Sequence, residues 1–277
     1  MLISKTYLNQ YEKIIKEISI KVNKYLQEAK LSNKMYAILP SFYLRFLSNK
    51  TPYYSEIIFI KNKKTRILSE PSLELKYIQK YILHNILYRH RAEYKLDKCI
   101  TGFLQKKSIL DNARPHLNRL AIIKMDIKDF FPSITRKMIY NIFRKYNKFS
   151  YEYSYILSHL VTYKNVLPQG TPTSPFLANI CAKGIDYKIN KLIEVINKRQ
   201  KMNIAYTRYA DDITISFDKK FNYDYMVNIV TNIIFDEGFY PNLQKTHSAC
   251  ISAATRSTSA HTRNKLPPHI LAISASE

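Results

Sequence analysis

The chain is poor in cysteine and in acid, and it contains no long apolar run. Its three cysteines, Cys99, Cys181 and Cys250, stand far apart in 277 residues. That spacing excludes a disulfide framework and any zinc site of recognisable pattern, and it points to a reducing compartment, the cytosol. No stretch approaches the roughly 18 consecutive apolar residues that a membrane span needs. The N-terminus also lacks the charged-then-apolar pattern of a secretory leader. A soluble, cytoplasmic chain with no membrane partner is expected. Acids are outnumbered, 21 Asp and Glu against 44 Lys and Arg, for a formal charge of +23. A field of that sign attracts polyanions, chiefly nucleic acid, with an affinity that falls steeply with salt. Codon drift toward lysine is the blander source of such a surplus. The 23 tyrosines suit stacking on bases and riboses, although most such rings belong to cores and surfaces.

Hydrophobic periodicity predicts an α+β chain, with helices packed on a small antiparallel sheet. Leu8, Tyr11, Ile15, Ile18, Val22 and Leu26 recur at helical spacing over 7–31. Residues 56–69 read as a hairpin with a basic turn, and helical periodicity returns over 73–94. A buried-type strand is predicted at 120–127, a helix at 135–147 and a long helix over 174–198. Strands at 204–209 and 212–217 flank a sharp turn, and an amphipathic helix follows near 223–237. Composition breaks near residue 248: every Tyr and Phe lies before it, and the last 30 residues are rich in Ser, Ala and Thr. A segment with so little to bury is expected to be disordered or poorly packed, as a flexible tail or as a truncated or frame-shifted end.

Residues 206–213 read Tyr-Thr-Arg-Tyr-Ala-Asp-Asp-Ile, which sets two adjacent carboxylates at the sharp turn. Adjacent acids repel, and an apolar flank raises the cost of ionising them. An isolated Asp-Asp pair is most often a solvated turn. Here a third acid, Asp126, ends the apolar run that begins at Ala121, on a strand that would lie beside the turn. Three carboxylates from neighbouring strands can bind two Mg²⁺ through hard oxygen ligands. That arrangement serves two-metal phosphoryl transfer. Residues 167–175, Leu-Pro-Gln-Gly-Thr-Pro-Thr-Ser-Pro, form a rigid loop in which Gly170 allows backbone to approach a ligand. The loop opens a helix whose N-terminus suits an anion.

Met125-Asp-Ile-Lys-Asp-Phe-Phe, Leu167-Pro-Gln-Gly-Thr-Pro-Thr-Ser-Pro and Tyr209-Ala-Asp-Asp, in that order, resemble motifs A, B and C of a reverse transcriptase. The resemblance covers about residues 40–247 and extends to Gly238-Phe-Tyr-Pro-Asn-Leu-Gln-Lys-Thr. Within the family, Asn112-Ala-Arg-Pro-His116, preceded by Thr101-Gly-Phe and Ser108-Ile, resembles the Asn-Ala-x-x-His box of retron enzymes. The implied fold is a right-hand polymerase: an N-terminal helical region at 1–40, fingers at 41–120, a palm at 121–247 and an atypical tail at 248–277.

The resemblance also implies roles. Asp126, Asp211 and Asp212 become the catalytic, metal-binding triad, with the Ile127 carbonyl as a further ligand of two Mg²⁺. Phe131 takes the place of a steric gate against a 2′-hydroxyl, which implies deoxynucleotide substrates; its alternative is a core phenylalanine. Gln169 and Gly170 line the nucleotide and template pocket. Arg66, with Lys61 or Lys63 nearby, holds the triphosphate, although each hairpin lysine taken singly reads as a solvated charge. Lys245 approaches the leaving pyrophosphate as an acid. Asn112, Arg114 and His116 fall in the RNA-binding box; His116 reads equally well as a satisfied structural histidine. Related enzymes carry a hairpin glycine where this chain has Lys63-Lys64-Thr65, and they continue into a helical thumb with a Val-Thr-Gly motif that is not visible after Lys245. The implied activity is RNA-directed DNA synthesis on a structured non-coding RNA template-primer. It uses dNTPs, yields an RNA–DNA hybrid, and serves antiviral defence beside an effector protein. The rival readings are another bacterial reverse transcriptase, of group II intron-like or abortive-infection type, and a thumb-less RNA-binding remnant.

Overall fold

The computed structural model describes residues 5–28, 53–61 and 64–250, with side chains over 12–24, 53–60 and 67–247. The chain divides into two compact units, each built from two stretches: residues 1–96 with 129–182, and residues 97–128 with 183–277.

In the first unit, α1 (Lys5–Glu28) buries Ile15, Ile18 and Val22 at helical spacing and leaves the Lys and Glu side chains between residues 12 and 24 in solvent. Strands β1 (Tyr54–Lys61) and β2 (Lys64–Pro71) pair antiparallel as the predicted hairpin, with Ile58 opposite Ile67. Pro71 closes the ladder, and Ser72 caps α2 (Leu73–Tyr81) by accepting from the Leu75 N–H at 3.3 Å. The predicted single helix over 73–94 is interrupted. Ile82–Leu87 is π-helical, and a separate turn of helix spans Arg91–Tyr94 and ends at left-handed Lys95. Thr135 and Ser150 cap α3 (Arg136–Lys145) and α4 (Tyr151–Leu160), of which α4 was not anticipated. The buried Gln79 amide donates at 2.9 Å both to the Tyr54 hydroxyl and to the Leu160 carbonyl. One side chain thus ties β1, α2 and α4 together.

The second unit is organised around β3 (Ala121–Lys128), a largely apolar run that is buried except at half-buried Lys124 and exposed Lys128. Continuous burial of this kind belongs to a central strand covered on both faces. Helix α5 (Ser174–Gln200) starts in the first unit and continues in the second. Strands β4 (Ala205–Tyr209) and β5 (Asp212–Phe217) form the hairpin of the acid turn. The sheet runs β4-β5-β3-β6, with antiparallel pairing at each step and β6 being Tyr240–Pro241. Asn222 caps α6 (Tyr223–Asp236), which buries Met226, Val230, Ile233 and Ile234. Strand β7 (His247–Cys250) crosses the composition break and pairs with Ala121–Lys124 of β3, so residues 248–250 are sheet rather than loose tail. The rest of the predicted tail, 251–277, lies outside the described residues. Among the described residues, no helix is long and apolar enough to cross a membrane.

Candidate active site

The acid turn is a two-residue connection, because Tyr209 pairs with Asp212 and leaves Ala210 and Asp211 between the strands. Ala210 adopts φ 58°, a left-handed conformation uncommon for a side chain with a Cβ. Three contacts hold it there. The Arg208 guanidinium donates to the Ala210 carbonyl at 2.9 Å. Backbone of 99–101 lies along β4, with the Arg208 N–H donating to the Cys99 carbonyl and the Thr101 N–H to the Arg208 carbonyl, each at 2.9 Å. Gly102 completes the support: a Cβ there would stand 2.7 Å from the Ala210 nitrogen. The Thr101-Gly-Phe motif therefore has a geometric reason, the close passage of one backbone over another.

Arg208 itself was missed in the sequence. It is fully buried in a bidentate pair with Asp186 of α5, at 2.8 and 2.6 Å, and the Tyr206 hydroxyl donates to the same carboxylate at 2.7 Å. Burial alone would lower the Arg208 pKa, and the Asp186 charge and hydrogen bonds more than offset it, so the pKa is raised and the guanidinium stays charged.

Register brings the third acid to the turn. Asp126 of β3 stands opposite Asp212, and the Ile127 N–H donates to the Asp211 carbonyl at 3.0 Å. The Asn242–Lys245 segment then clamps Asp126: the Asn242 N–H donates to its carbonyl at 2.7 Å and the Asn242 amide to Oδ2 at 3.1 Å. Lys245 Nζ lies 2.7 Å from both carboxylate oxygens. Burial raises the Asp211 pKa, and the nearby charges of Asp212 and Asp126 raise it further against the pull of Lys245. The donor set is all carboxylate, the hard-oxygen chemistry that divalent cations such as Mg²⁺ prefer. Among the described residues, no three metal-ligating side chains are already arranged to clasp an ion, and the positive charge at Asp126 is the Lys245 ammonium. The chemistry of the donors is nonetheless that of a hard divalent ion.

The Asn112–His116 box lies in the same unit and faces inward. Asn112 accepts from the Thr101 hydroxyl at 2.8 Å. His116 is buried, with Nδ1 2.7 Å from the Ser216 hydroxyl and Nε2 2.8 Å from that of Thr207. Burial, helped by Arg119 and Lys124, lowers its pKa to about 4. Of its two sequence readings, the satisfied structural histidine is the one this geometry favours. Arg114, by contrast, is exposed.

The remaining candidates fall in the first unit. Phe131 is half-buried and meets Phe130 edge-on at 5.6 Å; Phe130, 3% exposed, is the core ring of the pair. The Gln169 carbonyl accepts from the Ser69 N–H of β2 at 2.8 Å, and Gly170 takes φ 100°. That contact places the Leu-Pro-Gln-Gly loop on the strand that carries Arg66, whose backbone pairs with Phe59. The Arg66 side chain and the whole of Lys63 lie outside the described residues.

Comparison with known proteins gives a consistent result. The family described as "Reverse transcriptase (RNA-dependent DNA polymerase)" matches residues 50–271. The chain is 36% identical over 192 residues to the retron Ec86 reverse transcriptase of Escherichia coli, covering 69% of this chain and 55% of that protein. It is 35% identical over 159 residues to the retron Se72 reverse transcriptase of Salmonella heidelberg, covering 57% and 39%. The chain thus spans about half or less of the length of these relatives. Among solved structures, apo telomerase from Candida tropicalis truncated from its C-terminal domain aligns with TM-score 0.50 at 15% identity, covering 76% of this chain and 55% of that one. Telomerase from Candida albicans with a fragment of telomeric RNA aligns with TM-score 0.51 at 13% identity, covering 76% and 47%. These two likenesses concern the fold alone.

Proposed function

Because this chain belongs to the reverse transcriptase family, in its retron-type branch, we propose that it is an RNA-directed DNA polymerase acting through Asp126, Asp211 and Asp212. The observation that carries the reading is the register of β3 against β5, which sets Asp126 opposite Asp212 beside the Asp211 turn. The three carboxylates, with the Ile127 carbonyl, would hold two Mg²⁺. Bound there, such ions would lower the pKa of an attacking sugar hydroxyl and offset charge building at phosphorus. Arg208 and Gly102 keep the turn in place, and Asn242 fixes Asp126. The Lys245 ammonium, within reach of the same carboxylate, would carry the proton to the leaving pyrophosphate.

In this reading Phe131 is the gate that selects dNTPs over ribonucleotides, Gln169 and Gly170 line the nucleotide pocket, and Arg66 with Lys63 meets the triphosphate. Asn112 and His116 act indirectly, by supporting the hairpin, while the exposed Arg114 is the member of that box that would touch RNA. The template-primer is a structured non-coding RNA copied into single-stranded DNA in the cytoplasm, and antiviral defence with an effector protein is the biological role we infer. Primer extension on a primed RNA template tests the reading. Wild-type protein should incorporate dNTPs, and the Asp211→Asn/Asp212→Asn variant should not. Equal incorporation by both would remove the metal-site assignment. Salt-sensitive RNA binding without any synthesis would favour the RNA-binding remnant instead.

A further inference from the structure

The first unit contains a cavity of about 520 Å³ with no part in the site above. Its walls come from α1, from the end of α2 with the π-helical segment that follows, and from the start of α4. Lys21, Lys24 and Arg89 supply cationic groups, and Tyr81, Phe149 and Tyr153 supply aromatic ones. Glu17 pairs with Lys21, and the lining residues themselves include three cationic side chains and no acid. The volume is in the range of pockets that take a ligand of nucleotide size, roughly 300–1,000 Å³.

The π-helical segment is a second, independent sign. The Tyr88 N–H donates to the Leu83 carbonyl at 2.8 Å, five residues back. Such a bulge interrupts the regular ladder and is frequent at functional sites. Here the Asn85 amide, on the cavity wall, donates back to the Tyr81 carbonyl at 3.4 Å. The bulge is therefore compensated locally, by a side chain that also lines the cavity. The Tyr81 and Tyr153 phenols, raised further above their ordinary range by burial, are neutral rings.

We propose that this cavity is a subsite for one unpaired nucleotide of an RNA strand, with the base among Tyr81, Phe149 and Tyr153 and the phosphate against Lys24 and Arg89. Aromatic faces accept any base, and cations beside them hold the backbone, the combination that serves single-stranded nucleic acid. A free nucleoside triphosphate fits less well: it travels with a divalent ion, and none of the described residues lining the cavity is an acid that could share that ion. The formal charge of +23 favours a long polyanion on the same grounds. The inference rests on the RNA-directed reading for the identity of the strand, but its test does not depend on DNA synthesis.

The test is binding of a single-stranded RNA of about 20 residues bearing 4-thiouridine to the full chain in the absence of dNTPs. Lys24 and Arg89 are exposed, so Lys24→Ala/Arg89→Ala should fold normally. The double variant should bind about 5- to 10-fold more weakly near 0.15 M salt, with the slope of log K against log salt reduced by roughly one to two. Irradiation should attach the RNA to residues 81–89 or 149–153. Lys191→Ala/Lys198→Ala, which removes the same charge from exposed positions of α5, should change affinity less than about 2-fold. Three results would overturn the proposal: equal losses in the two double variants, no crosslink to those residues, or a crosslink displaced by dTTP with Mg²⁺. Failure of primer extension with this binding pattern intact would instead count against the polymerase reading alone.

Discussion

Arg208 is a full charge with no exposure, and it joins a helix to the turn that carries the acids. Its partner Asp186 lies 22 residues away in sequence and is equally buried. Removing one member of such a pair leaves the other uncompensated in a dry interior, a cost of about 3–5 kcal/mol. Asp186→Ala should therefore lose that stability in a denaturant titration. Arg208→Lys, which cannot make the bidentate contact, should retain part of the fold but loosen the turn. Gly102→Ala tests the same support from the other side, because its methyl would meet the Ala210 nitrogen at 2.7 Å. Backbone must shift to relieve that contact, and misplacing a reacting group costs on the order of 10- to 100-fold in rate. The Gly102→Ala protein should show that loss in kcat together with a lowered melting temperature. Neither support was legible beforehand. A hydrophobic pattern locates Arg208 on a strand but cannot say which helix residue neutralises it, and Thr101-Gly-Phe entered only as a motif. The acids themselves were legible, because adjacent carboxylates between β-prone runs, with a third at the end of a buried strand, are costly unless a cation shares them.

At the scale of elements, strand β3 was readable as an apolar run and β4 and β5 as β-prone runs flanking a sharp turn. The two-residue β6 and four-residue β7 were not, since strands that short carry no period. The 73–94 helix misled for a different reason. Leu75, Ile78, Ile82 and Ile86 keep helical spacing through a π bulge that shows only in the hydrogen bonds. The box at Asn112–His116 was legible as a motif while its direction was not. It packs on β4 and β5, and His116 bridges Thr207 of one strand to Ser216 of the other. Burial, with the Arg119 and Lys124 charges nearby, disfavours the charged ring. With its folded pKa lowered to about 4 from 6.5, His116 stabilises the fold fully above pH 6.5 and loses that contribution as pH falls toward 4. The loss amounts to as much as about 3 kcal/mol. Thermal melts between pH 7 and 4.5 should show the decline, and His116→Gln should flatten it relative to wild type. The half-buried His159, also lowered to about 4, chiefly by desolvation, adds a decline of the same sign that persists in the variant.

For the whole molecule, charge and chemistry are divided. The excess of cations is spread over the sequence, whereas the carboxylates that matter converge on one end of one sheet. That concentration has a cost in the metal-free protein. Asp211 is more easily protonated in the fold than outside it, so its contribution to stability is present at low pH and is lost as pH rises through the carboxylate range. Asp211→Asn should accordingly raise the melting temperature at pH 8 in the presence of a chelator. Added Mg²⁺ should stabilise wild type more than the variant. A protein steadier without Asp211 than with it is what the proposed metal site, built for function at the expense of stability, should give. The central claim is that the Asp126–Asp211–Asp212 cluster performs metal-dependent DNA synthesis on RNA. The most direct measurement is the rate of dNTP incorporation on a primed RNA template as Mg²⁺ is titrated, for wild type and Asp126→Asn in parallel. The account predicts a Mg²⁺-saturable rate for wild type and a loss of at least about 100-fold for the variant. Incorporation by Asp126→Asn at the wild-type rate and Mg²⁺ dependence would contradict it.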